Sequence, residues 1–275
     1  MKTVTFLLLF RLTRNQSNFI TMKRRILIIA TAVFGMALAS CTIHIDNDSW
    51  GETIKGNGNI VEREFDVTQF DELSCAMSAT VNFNVSDNYT CKVRTDENIM
   101  DYLDIKVEDN ELCLGKRQKP RHITLKATEF VMEVTAPSLE NINLAGSGDI
   151  NILSPMDGKE LEVNVAGSGN MVFKEEVNID QMELNVAGSG DINIEKGSVR
   201  EMEAVVAGSG KIVLHAEVQE MDASIAGSGD IIANVNGTLE YSIMGSGDIQ
   251  YYGDAEVKGE KLGSGKVTQI EAPAR

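Results

Sequence analysis

The chain has 275 residues and a mass of 30.0 kDa, with 43% hydrophobic and 24% charged residues, a globular rather than disordered balance. Its 25 basic and 41 acidic side chains give a net charge of −16. That charge excludes a nucleic-acid binder, because phosphate neutralisation needs a basic face. Aromatic residues make up only 5%, too few to line a large aromatic ligand pocket.

The N-terminus reads as an export signal over residues 1–40. Lys23-Arg24-Arg25 precede an apolar run from Ile26 to Leu38, then Ala39, Ser40 and Cys41. This is a charged region, an apolar region and a small-residue cleavage site. The run is too short to span a bilayer comfortably. Leu38-Ala39-Ser40-Cys41 resembles a bacterial lipobox, which makes Cys41 the lipidated mature N-terminus; the plain alternative is an ordinary signal peptide that carries a Cys. The basic cluster lies behind an earlier apolar run, Phe6 to Phe10, so translation is expected to start at Met22. Removing residues 1–40 takes away six basic side chains and no acidic one, leaving a net charge of −22. Such a chain is repelled by anionic membranes, and a lipid on Cys41 would offset the repulsion. Residues 41–58, with Asp46, Asn47, Asp48, Asn57 and three glycines, read as a tether. Cys75, Cys91 and Cys113 remain, an odd number with no zinc spacing. Buried free thiols are expected, with a Cys75–Cys91 or Cys91–Cys113 bridge as the alternative.

Residues 59–140 read as an irregular β region that also caps the array. Ile60–Val67 alternates as a strand. Ser74–Val85 looks like a repeat unit with Met77-Ser78-Ala79 at its corner. Tyr89–Thr95, Ile105–Val107, Leu112–Leu114 and Val131–Val134 are further strands, and Asn98–Leu103 a short helical turn. Lys116–His122 is the one basic cluster of the mature chain and reads as a solvated hairpin loop.

Residues 141–270 carry a repeat. Gly-Ser-Gly occurs seven times, with glycines at Gly146 and Gly148, Gly167 and Gly169, Gly188 and Gly190, Gly208 and Gly210, Gly227 and Gly229, Gly245 and Gly247, and Gly263 and Gly265. The spacing is 21, 21, 20, 19, 18 and 18 residues, a period that means a stacked array. An alternating run precedes each corner, as in Leu161-Glu162-Val163-Asn164-Val165-Ala166. A second short strand comes after it. Period-2 alternation with one buried face, no helical periodicity and a glycine corner predict an all-β chain, a parallel β-solenoid with rungs of about 20 residues. The glycines allow positive φ and a corner where a Cβ would clash. Seven rungs about 4.8 Å apart make a rod of roughly 30 Å. Residues 271–275 are a polar tail with Pro273, which discourages edge pairing.

Phe65-x-x-x-x-Phe70-Asp71, Val131-x-x-Val134-Thr135-Ala136-Pro137-Ser138-Leu139 and Leu144-Ala145-Gly146-Ser147-Gly148-Asp149-Ile150 together resemble the head GIN domain family, exported bacterial proteins described as adhesins, over roughly residues 59–270. The resemblance implies a solenoid-like all-β fold and a place in the cell envelope, the outer membrane above all, of Bacteroidetes-type bacteria. It brings no catalytic residues to carry over, and this sequence, with a lipobox and no β-barrel translocator, does not look like a true autotransporter.

Stacking turns equivalent positions into columns. Five residues before each first glycine stand Asn141, Glu162, Glu183, Glu203, Asp222, Glu240 and Lys258. The five successive acids, Glu162 to Glu240, face outward. They read either as a cation column that suits Ca²⁺ or, the reading with more weight, as a solvated acidic face; no cofactor is otherwise implied. After each corner stand Asp149, Asn170, Asp191, Lys211, Asp230, Asp248 and Lys266, a charge-spaced row. Carbohydrate chemistry would need an acid pair, for which Asp230 with Asp248 or neighbouring acids of the outer column are the best candidates, with Tyr241, Tyr251 and Tyr252 as a sugar platform. His122 and His215 have no evident partner. The reading is an envelope protein, non-catalytic, lipid-anchored through Cys41, that binds protein or glycan. A self-associating structural lipoprotein is the alternative, and an enzyme the weakest case.

Overall fold

The computed structural model describes residues 52–117 and 123–273. The signal, the Met22 start, Cys41, the first part of the tether, most of the basic loop and the last two residues lie outside the described residues.

In chain order the strands are β1 (Glu52–Lys55), β2 (Ile60–Phe65), β3 (Glu72–Cys75), β4 (Thr80–Val85) and β5 (Thr90–Asp96), followed by the single-turn helix α1 (Glu97–Met100). Next come β6 (Leu103–Glu108), β7 (Glu111–Lys116), β8 (Ile123–Lys126), β9 (Phe130–Ala136), β10 (Asn141–Gly146) and β11 (Asp149–Ile152). The long strands are β12 (Met156–Gly167), β13 (Asn170–Gly188), β14 (Asp191–Gly208), β15 (Lys211–Gly227) and β16 (Asp230–Gly245), and the chain closes with β17 (Ile249–Tyr252), β18 (Glu256–Gly263) and β19 (Val267–Gln269).

Strands β10 to β19 form a parallel β-solenoid, as the repeat predicts. Each pairs in parallel with its equivalent one rung on, corner on corner: Gly146, Gly167, Gly188, Gly208, Gly227, Gly245 and Gly263 stand in one register row. The alternation decides which side chains fill the rod. In β13, Met171, Phe173, Val177, Ile179, Met182, Leu184 and Val186 are buried, and their equivalents above and below continue one apolar core. The alternation breaks after Ile179, where Asp180 and Gln181 both face out. The chain turns there without a glycine.

At the Gly-Ser-Gly corner the two glycines answer different constraints. Gly188 has φ +132°, and a Cβ on it would lie 2.3 Å from the Gly167 carbonyl oxygen. Gly190 has no such φ, but its Cβ would lie 2.1 Å from the Gly169 carbonyl oxygen. The stacked corners are also hydrogen-bonded: the backbone N–H groups of Ser189 and Gly190 both donate to the Gly167 carbonyl, at 2.8 and 3.1 Å.

The rod continues below β10 through a rung far away in sequence. β3 pairs with β10 and β4 with β11, both in parallel, so Met77-Ser78-Ala79 does occupy a corner position. β7 and β9 add one more parallel layer. The antiparallel strands β5, β2 and β6 then close that end, and Ile99 and Met100 of α1 are buried there. An antiparallel cap ends the parallel stacking, which suits a terminal unit.

The stretch expected to be a tether belongs to the head from Glu52 onward. β1 pairs in parallel with β8. Beyond it, Gly58 N–H and Thr128 N–H donate to the two carboxylate oxygens of fully buried Asp96, both at 2.7 Å. Burial alone would raise the Asp96 pKa, but the N–H groups of Thr128 and Gly58 outweigh it and hold the carboxyl below its ordinary range. Cys75, Cys91 and Cys113 are buried thiols that form no disulfide, so neither alternative bridge forms. Burial pushes the Cys91 thiol up to about 12, which leaves it unreactive.

The last rung ends the core differently. Lys261 stands in register with Ile243, at the position that carries buried Val165, Val186, Val206 and Ile225 in earlier rungs. Its Nζ donates to the Gly265 carbonyl at 3.0 Å. In the neighbouring row Tyr241 stands against Gly259, whose Cβ would lie 2.7 Å from the tyrosine ring. Tyr241 packs against the core, and Lys261 is exposed on the last strand of its row.

Candidate functional site: an acidic groove along the rod

The register puts the acids of the expected column in a line. Glu162 pairs with Glu183, Glu183 with Glu203, Glu203 with Asp222 and Asp222 with Glu240, and Lys258 closes the row. At the other end Asn141 stands between Glu162 and Glu72, and Glu72 between Asn141 and Glu111. The column therefore runs past the repeat and into the cap.

A second column faces it. Glu160, Gln181, Glu201, Glu220 and Thr238 are also stacked in register. The two columns flank Leu161, Met182, Met202 and Met221, which are buried below them. Together they line a groove of about 940 Å³ parallel to the rod axis, from Glu72 to Lys258. At a rung spacing of about 4.8 Å that is a run of roughly 34 Å. The second column was not expected from the sequence. Its signal is the recurring acid-apolar-acid triplet (Glu160-Leu161-Glu162, Glu201-Met202-Glu203, Glu220-Met221-Asp222), blurred by Gln181 and Thr238.

Like charges at this spacing repel, and several contacts relieve the walls. Asn141 Nδ2 donates to Glu162 Oε2 at 3.3 Å. Asn164 and Asn185 donate to Glu162 Oε1 and Glu183 Oε1, at 2.9 and 2.8 Å. Gln181 Nε2 donates to Glu201 Oε2 at 2.8 Å, and Arg200 pairs with both Glu201 and Asp180. The Arg200 and Gln181 donors hold the Glu201 carboxyl below its ordinary value. Glu72 shifts the other way: partial burial, then the charges of Glu111, Asp71, Glu162 and Glu140, raise it. Among the described residues no three His, Cys, Asp or Glu side chains converge closely enough to hold one metal ion. The columns present carboxylates in rows, not in cages.

The other expected site residues fall elsewhere. In the row after the corners, Asp149, Asp191, Asp230 and Asp248 each accept the backbone N–H of the residue one rung on, at 2.8 to 3.2 Å. Asp230 and Asp248 thus cap rungs and do not form a free acid pair. Tyr241 and Tyr251 pack against the core, and Tyr252 is buried with its hydroxyl 2.9 Å from His215 Nδ1. They form no open platform, and His215 has the partner that the sequence did not reveal. His122 lies outside the described residues.

A family model described as "putative auto-transporter adhesin, head GIN domain" matches residues 69–255. Among solved structures, a "putative lipid binding protein" from Parabacteroides distasonis ATCC 8503 is 30% identical, with a TM-score of 0.70 over 80% of this chain and all of that chain. A "putative adhesin" from the same organism is 25% identical, with the same TM-score and coverage. A third, from Bacteroides fragilis NCTC 9343, is 22% identical with a TM-score of 0.72 over 79% of this chain and all of its own, a likeness of fold alone. No curated protein matches the chain.

Proposed function

This chain belongs to the head GIN domain family, and on that premise we propose that it is a lipid-anchored, non-catalytic binding module of the cell envelope whose ligand is an extended chain, glycan or protein, laid along the acidic groove. The observation that carries this reading is the groove's form: continuous over successive rungs and lined by repeated polar groups rather than closed around one point. A repeating polymer meets the same carboxylate acceptors every rung. Sugar hydroxyls and basic side chains are both donors to such acceptors. Catalysis needs one rung to differ from its neighbours, and the Asp230–Asp248 pair is occupied in backbone hydrogen bonds. The anchor is the lipid on Cys41, and the outer membrane is the membrane that suits an exported head of this family.

The test is a glycan array and a calcium titration on the chain from residue 42, with melting temperature followed in parallel. A specific glycan hit that is lost in the double variant Glu183→Gln/Glu203→Gln supports the reading. Stabilisation of several degrees by calcium, lost in the same variant, would make the column a cation site. No binding in either arm retires the cation column and moves the weight to the self-associating structural reading.

A further inference from the structure

The junction between the N-terminal cap and the first regular rung contains an acceptor with no donor. Asn141 Oδ1 is buried and has no hydrogen-bond partner. The orientation of the amide is set by its other end, because Nδ2 donates to the Glu162 carboxylate, which only accepts. In the stacked row the neighbour on the other side is Glu72. Were Glu72 ionised, a carboxylate would stand beside an amide oxygen, two acceptors with no proton between them.

We propose that Glu72 carries that proton and donates it to Asn141 Oδ1, so that the cap is latched to the rod by a carboxylic acid–amide contact that opens on deprotonation. The charged groups around Glu72 all favour the acid form. Glu111 faces it from β7, Glu140 from the residue before β10 and Glu162 from β12, while Asp71 precedes it in the chain. Partial burial adds to the same preference. When pH rises the proton passes from the Glu72 carboxyl to water. The column then gains a negative charge between Glu111 and the amide oxygen, at the point where β3 of the cap meets β10 of the repeat.

A carboxyl with a raised folded pKa binds its proton more tightly in the fold. Its contribution is present below the unfolded value and is lost as pH rises through the folded value. Glu72→Gln places a permanent donor at the same point. The expected result is a melting temperature equal to that of the native chain at pH 4, below the ordinary glutamate value, and about 2–4 °C higher at pH 8. A difference that does not change with pH overturns the proposal. If Glu72→Gln fails to fold, carboxyl ¹³C titration of the native chain decides. A Glu72 midpoint above the ordinary glutamate range that falls in Asn141→Leu supports the latch, because the acceptor that stabilises the acid form is gone. An ordinary midpoint, or one that Asn141→Leu leaves in place, overturns it.

Discussion

Asn185 stands in register with Val205 on the next rung, and that pairing leaves the buried Asn185 Oδ1 without a donor. Below it the same row is an asparagine ladder. Asn185 Nδ2 donates to Asn164 Oδ1, and Asn164 Nδ2 to Asn143 Oδ1, both at 3.0 Å. The ladder stops because a valine cannot continue it.

Val205→Asn extends that ladder. Its amide nitrogen reaches Asn185 Oδ1, and Ser224, next in the row, can donate to its oxygen. One satisfied buried acceptor contributes about 1 kcal/mol, so the melting temperature is expected to rise by about 2–4 °C. A fall would mean that the lost packing of Val205 outweighs the gained hydrogen bond.

Gly190→Ala puts a methyl group into backbone. Unlike a flexible side chain, the Gly169 carbonyl 2.1 Å away cannot move without breaking the rung. Overpacking of this kind costs about 3 kcal/mol, or a drop of roughly 6–12 °C. Ser189→Ala, at the exposed tip of the same corner, is the control and is expected to melt within a degree or so of the native chain.

Asp96→Asn tests the anchoring of the segment after β1. One of the two N–H donors from Gly58 and Thr128 would then face an NH₂ group. The expected cost is roughly 2–3 kcal/mol, with faster hydrogen exchange at those two amides. The native pH dependence has a definite sign. The Asp96 pKa is lowered in the fold from an ordinary 3.8, so its contribution is complete above the unfolded value and is lost as pH falls through the folded one. An acid melt of Asp96→Asn should lack that part of the loss; unchanged acid sensitivity would assign it to other carboxyls.

Lys261→Ile puts an apolar residue on the exposed last strand, in the row that is core-facing in earlier rungs. A charge on an exposed edge strand opposes strand-to-strand association, so the native head is expected to sediment as a monomer. The variant should associate with rising concentration. A native head that already stacks end to end would revive the self-associating reading of this protein.

The repeat was legible because each of its requirements leaves a mark on residue type. A corner without room for Cβ demands glycine at Gly188 and Gly190, and a core-facing row demands apolar residues at Val163, Leu184 and Ala204. The acids from Glu162 to Glu240 were legible as a row for the same reason. The groove was not, because its concavity depends on the turn at Asp180-Gln181, where nothing but two successive outward side chains marks the bend. The cap was legible as β structure only. That β3 and β4 lie directly under β10 and β11 rests on pairings that span about 70 residues, and the antiparallel strands between them obey no period. The partner of His215 was hidden likewise, since Tyr252 lies 37 residues on.

The rungs do not all have the same length, and the differences are confined to one part of the circuit. Register slips occur between Phe173 and Glu176, between Ile194 and Ser198, and from Leu214 to Glu220. From the inner wall of the groove through the glycine corner to the next strand, the register does not slip. Insertions and deletions have therefore been absorbed before the groove's inner wall, which has kept its pitch like the marks on a ruler. A loop or reporter peptide grafted near Glu175 or Lys196 would inherit that tolerance, and a whole rung could be duplicated there to lengthen the groove by one step without disturbing its spacing.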